Sequence, residues 1–262
     1  MNTAEVLATT PTTEPRSAGS AEAFVILEQL AAERATGALR ASGGAVYLAD
    51  GLVVHADSER APGLAALLTG CGRIAPETWR ETVRAFGPHG RVGGAMVEQR
   101  QVTLGELEIC QLGVLYDAAY FVLDPAGRSA GPWTFEPGVR HWLGPVVAVS
   151  ARRLRREVER RGRLLERIWP WPQLDTAPVR VLGAQGPGTG PVARAGRPGP
   201  QPSRRQRELL VHADGRRTPA ELARMLGRSA FATTADVRRL AAAGLLVTPG
   251  RSTPRHAVAP AS

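Results

Sequence analysis

The sequence predicts an α+β protein, and three observations carry that prediction. A helical stripe near the N-terminal end is followed by three short strand-like runs with tight-turn signals between them. Three short helical patterns with nameable caps stand in a row toward the C-terminal end. The 262 residues, 43% hydrophobic, are enough for about two domains. No run approaches the ~18 apolar residues of a membrane span, so a cytoplasmic protein without membrane contact is expected.

Residues 1–21 begin MNTAEVLATTPTTEPRSAGS, with neither a basic region nor an apolar stretch of signal-peptide length, and read as a disordered polar leader. Residues 22–146 form the first domain. It opens with a helix from Ala23 to Arg34, in which Phe24, Leu27, Leu30 and Ala31 share a face. Strands are expected at Ala38 to Ala41, Ala45 to Ala49 and Leu52 to Ala56, separated by Gly43-Gly44 and by Asp50-Gly51, the latter a strong hairpin signal. Helices follow at Gly63 to Leu68, Pro76 to Phe86 and Leu104 to Leu123, and Trp133 to Glu136 reads as a last strand. The domain is therefore an N-terminal helix plus an antiparallel sheet with helices. Cys71 and Cys110 are far apart and in apolar surroundings, and read as buried thiols rather than a disulfide.

Residues 147–169 form an amphipathic, Arg-rich helix. Val147, Ala151, Leu154, Val158, Arg161, Leu165 and Ile168 follow heptad spacing. Two readings are open: a seam that forms a homodimer through residues 147–168, or a helix lying on its own N-terminal domain with arginines reaching past it to solvent. The second is preferred, because three heptads are short and Arg161 interrupts them. Residues 170–203, rich in Pro and Gly, read as a linker.

Residues 204–262 carry the three-helix pattern. Leu209, Leu210 and Val211 stripe the first helix, which Asp214-Gly215 closes. Thr218, Pro219 and Glu221 make a capping box for a second helix to Leu226, with Leu222, Met225 and Leu226 inward and Gly227 as its stop. Thr233 or Thr234 caps the third, with Val237, Leu240 and Ala241 inward and Gly244 at its end. Leu245 to Val247 then starts a strand, and Thr248 to Pro254 turns it into a wing. This order, with DG-x-x-T-x-x-x-L followed by a helix and Gly-Leu-Leu, resembles the winged helix-turn-helix modules of bacterial transcriptional regulators. A similar pattern occurs in small winged-helix proteins that hold peptides.

In the first domain, Thr36, Gly37 and Leu39, then Asp50, Gly51, His55 and Ala56, then Gly131, Trp133 and Phe135 resemble the PATAN-type domain of bacterial signalling proteins. The resemblance implies a non-enzymatic module that binds a protein partner through residues 22–146.

Catalytic and cofactor motifs are declined. Gly188-x-Gly190-x-x-Ala193 mimics a dinucleotide fingerprint, but Pro187, Pro191 and Pro198 exclude the helix that would meet the phosphate. Gly87 to Gly94 lacks the Lys-Ser/Thr of a phosphate loop, and neither GxSxG nor HExxH occurs. His55 reads as a structural residue at a turn or sheet edge. His89, His141, His212 and His256 form no metal-like spacing with one another or with the cysteines. No catalytic residue, metal ligand or cofactor is expected.

Charge separates the two halves. Residues 1–151 hold 11 arginines against 16 acidic residues, and residues 152–262 hold 22 against 8, within a net charge of +9. An anionic partner for the C-terminal half follows, DNA or an acidic protein surface. The DNA reading assigns phosphate contacts to Arg204, Arg205, Arg207, Arg216 and Arg217, helix contacts to Arg238 and Arg239, and wing contacts to Arg251 and Arg255. The expected function is transcriptional regulation; the alternative is a signalling adaptor whose winged helix holds protein. The third helix begins with alanines, which read bases poorly.

Overall fold

The computed structural model describes residues 18–123, 132–182 and 201–248. Most of the expected leader, Gly131, the look-alike fingerprint, Arg251, Arg255 and the wing beyond Thr248 lie outside them. The described residues form a mixed α+β structure with a four-stranded antiparallel sheet, β1 Gly37–Ala41, β2 Gly44–Ala49, β3 Leu52–Ser58 and β4 Thr134–Pro137, in the order β3-β2-β1-β4.

The turn between β2 and β3 forms as the sequence dictates. Asp50 and Gly51 both have positive φ, 50° and 77°, the requirement of a two-residue hairpin turn. Asp50 also pairs with Arg34, and its N–H donates to Thr36 Oγ1. Gly51 is needed twice over, since a Cβ there would lie 2.6 Å from the Ala31 carbonyl. On the other edge of β1, Leu39 pairs with Phe135, and a Cβ on Gly37 would meet the Phe135 ring at 2.5 Å. The motif residues around Thr36, Asp50 and Trp133 are thus neighbours in space.

Helix α1 is Ala18–Ala32, starting inside the segment expected as leader. Helices α2 Leu64–Gly70, α3 Pro76–Phe86 and α4 Val92–Glu98 pack with α5 Leu104–Val122 around Leu68, Trp79, Met96 and Leu107. The α4 helix had no counterpart in the sequence reading, because its glycines, Gly93 and Gly94, argue against a helix. The C-terminal half of α5 is buried on every side, from Val114 to Val122, which explains its apolar sequence without a membrane. Cys71 is exposed and Cys110 partly so, both free, which corrects the expectation of two buried thiols.

Helix α6, Ala151–Ile168, lies on its own chain. Leu154, Val158 and Leu165 are buried in one core with Leu27 of α1 and Leu115 of α5. Its seam is therefore occupied and presents no apolar stripe to a second copy, against the homodimer reading. Arg161 interrupts the heptads for a reason. It sits beside Asp117 of α5 at 2.5 Å and Glu157 at 2.8 Å.

Residues 170–182 are not linker. A short 3-10 turn, Pro172–Asp175, and the stretch to Leu182 pack against the C-terminal helices α7 Arg204–His212, α8 Pro219–Met225 and α9 Ala230–Ala242, with Leu174 and Val179 buried beside Leu209, Leu222 and Leu240. Val181 bridges Leu246, and Arg180 bridges Asp214. The segment after α9 thus pairs with residues that precede it by far in sequence. Capping boxes at Ser203 and Thr218 start α7 and α8. Val211 and Met225, expected inward, are exposed. Helix α9 begins earlier than expected. Ser229 Oγ accepts from the Ala232 N–H and caps it, while the Thr233 hydroxyl donates to the Ser229 carbonyl inside the first turn.

Candidate functional site

The arginines assigned to DNA fall into distinct environments. Arg204, Arg205 and Arg207 are exposed on α7, and Arg216 is exposed in the turn before α8. Arg217 pairs with Asp214 at 2.9 Å. Arg239 is exposed and pairs with Asp236 at 3.0 Å. Arg238 is buried and corrects the expectation: its guanidinium makes a bidentate pair with Asp175 at 2.6 and 2.7 Å and donates to the Trp169 carbonyl. Trp169 at the end of the Arg-rich helix and Asp175, in the stretch expected as linker, are what turn Arg238 inward.

The exposure of α9 as a whole decides what it could read. Ala230, Phe231 and Ala235 are buried in the core shared with α1, α5 and α6, while Val237, Leu240 and Ala241 are buried in the core of the C-terminal unit. What faces out is a narrow stripe through Ala232, Asp236 and Arg239, with Ala242 exposed at the helix end. An acidic side chain tied to Arg239 occupies its middle.

A second constellation lies at the end of β3. The register pairs Tyr47 with His55 and Leu48 with Val53, so Val54 is an extra residue and the strand bulges there. Beyond the bulge His55 Nε2 contacts Asp57 Oδ1 at 3.0 Å. His141, from the segment after β4, stacks on His55 with ring centroids 3.6 Å apart and brings Nε2 to 3.5 Å from Asp57 Oδ2. Both imidazoles are buried, whereas Asp57 is 45% exposed and lines a cleft of about 290 Å³ with Gly44, Ser58 and Val114.

The surroundings of these three residues are equally specific. The Gln111 side chain of α5 is hydrogen-bonded to His55 Nδ1, while its Oε1 is buried without a partner. His141 Nε2 is buried without a hydrogen bond. Tyr47 packs edge-on against His141. Burial, with the Asp57 charge beside it, raises the Tyr47 phenol above its ordinary pKa. Burial works against the Asp57 carboxylate too, but the imidazoles of His141 and His55 outweigh it and hold Asp57 well below the ordinary range. Burial keeps His141 below its own ordinary value.

The glycines between 87 and 94 place the His141 segment. The Gly93 N–H donates to the Leu143 carbonyl at 2.8 Å, and a Cβ on Gly144 would lie 2.3 Å from the Gly90 carbonyl. This glycine run, declined above as a phosphate loop, is a seat for another backbone. Sequence reasoning missed the cluster because the bulge, the stacking and the docking of residues 138–146 are tertiary; the Asp57 position two residues after His55 was its one local signal.

Compared with protein-family models, with curated proteins and with solved structures, the chain matches none.

Proposed function

We propose that this protein is a regulatory adaptor that recognises proteins and reads no DNA sequence. One observation carries the reading: the faces of α9 that a DNA reader would lay in the major groove are covered by the chain itself, and Arg238 is bound to Asp175. A helix that enters the groove needs several side chains free to reach base edges. The outer stripe of α9 offers Arg239 alone, opposed by Asp236. The resemblance of residues 22–140 to interaction modules points the same way, and so does the absence of any recognised catalytic motif from the sequence.

A second reading, a DNA-bound regulator, is favoured by the exposed Arg204, Arg205 and Arg207 on α7. It would rest on phosphate contacts and carry little base specificity. Fluorescence anisotropy of the full chain with random duplex DNA, at about 50 and about 200 mM salt, separates the two. The adaptor reading expects no saturable binding in the micromolar range at either salt. Micromolar binding that falls steeply with salt and weakens in Arg204→Glu/Arg205→Glu/Arg207→Glu would replace it with the DNA reading.

A further inference from the structure

We infer that His55, Asp57 and His141 form a binding site for a divalent transition-metal ion of the zinc class. The proposal is independent of the adaptor reading. Two imidazoles and one carboxylate are a donor set suited to such an ion, leaving one position of a tetrahedron open. One ligand atom from each of the three residues lies within 4.8 Å of the others. Bonds of ~2.0–2.1 Å in a tetrahedral site hold donor atoms roughly 3.3 Å apart, and here His55 Nε2 stands 3.0 Å from Asp57 Oδ1 and His141 Nε2 3.5 Å from Asp57 Oδ2.

Outer partners are in place around the donors. Ligating histidines characteristically donate their second ring N–H to a fixed acceptor. Rotating the Gln111 amide by half a turn sets its unpartnered Oε1 against His55 Nδ1–H, and releases the His55 Nε2 lone pair toward Asp57. Tyr47 packs edge-on against the His141 ring and supports that donor from its side. His141 Nε2 is buried and without a hydrogen bond, so an ion there would satisfy it. The cleft along Asp57 gives the carboxylate access to solvent.

Two adjustments accompany binding. The Leu143 N–H now points to His141 Nδ1 at 3.3 Å, a long bond that is given up when Nδ1 takes the proton. Tetrahedral bonds would also hold the imidazole centroids roughly 5 Å apart, against 3.6 Å in the stack. The His141 ring therefore swings away from His55, carried by a segment outside the regular elements. The ion would tie that segment to β3, coupling metal supply to the position of residues 138–146.

The test uses the full chain stripped with a chelator. Zinc retained after desalting is counted, and Co²⁺ is added separately as a spectroscopic probe of tetrahedral coordination. One ion per chain is expected, with affinity falling at least tenfold in Asp57→Asn and in His141→Gln, and 10- to 100-fold in Gln111→Leu. A His89→Ala/His212→Ala variant, which removes two histidines outside the cluster, is expected to keep the full stoichiometry. Circular dichroism checks that each variant folds. A wild-type measurement makes the outcome independent of folding of the variants: histidine-ring NMR is expected to show zinc shifting two buried rings, with the other three unmoved. No retained zinc in the wild type, retention equal in Asp57→Asn, or shifts confined to the other histidines would overturn the site.

Discussion

Arg238 and Arg239 are adjacent in sequence and opposite in energetics. Arg238 and Asp175 have side chains 4% and 0% exposed, so removing Arg238 breaks a buried bidentate ion pair. Arg238→Ala is expected to lower stability by about 3–5 kcal/mol, and Arg239→Ala by under about 1 kcal/mol, both measured by urea unfolding. Equal effects would contradict the burial. At the N-terminus of α5, Glu106 is held down to about 2 by Arg73 and then by the Thr103 N–H and hydroxyl. A depressed folded pKa means that the contact is complete above the ordinary value of 4.5 and fades as pH falls toward 2. The urea midpoint of wild type should therefore exceed that of Glu106→Gln at pH 6, and the gap should close over that window. A gap independent of pH would contradict it. At this scale the sequence revealed only what is local. The Asp50-Gly51 turn and the Thr218 cap could be read from consecutive residues, whereas Arg238 turns inward because of Asp175 and Trp169, whose approach no short window encodes.

At the scale of elements, periodicity served well where one face is buried and failed where two are. Helix α6 was legible as amphipathic because Leu154, Val158 and Leu165 all face the core. Its register with a partner was not, since heptad spacing suits a second copy and a flat neighbour alike. Leu154→Ala is expected to cost about 2–5 kcal/mol while leaving the sedimentation mass unchanged. A loss of mass in that variant would show that the seam joins two chains. Helix α9 resisted reading for the opposite reason. Its stripe of Val237, Leu240 and Ala241 is buried as the sequence predicts, but the alanines and threonines of its first half pack into a second layer that no stripe marks, and the sequence placed its cap at Thr233 or Thr234 instead of Ser229.

On the scale of the whole molecule, the C-terminal unit and the N-terminal domain share a core, and Asp117 is its polar centre. One carboxylate oxygen takes Arg161 and the other takes the Phe231 N–H at 3.4 Å, in the first turn of α9, where a negative charge suits the helix dipole. The Phe231 ring lies 4.6 Å from the Arg161 guanidinium and packs edge-on against Tyr120. A glycine pair sets a second contact: Gly70 at the end of α2 and Gly227 after α8 meet backbone to backbone, and a Cβ on Gly70 would lie 3.2 Å from Gly227 Cα. Both contacts must loosen before the inner face of α9 can be exposed. Phe231→Ala is expected to cost about 3–5 kcal/mol and to act on the join between the units. Calorimetry should show one transition in wild type and two in the variant, the earlier one belonging to the C-terminal unit. A single transition merely shifted to lower temperature would mean that α9 is integral to one core. The same variant decides between a DNA surface that is masked and one that is missing. If Phe231→Ala gains salt-dependent duplex binding, docking hides a competent helix. If the unit separates and still ignores DNA, Asp236 and the inward Arg238 have left nothing to read with.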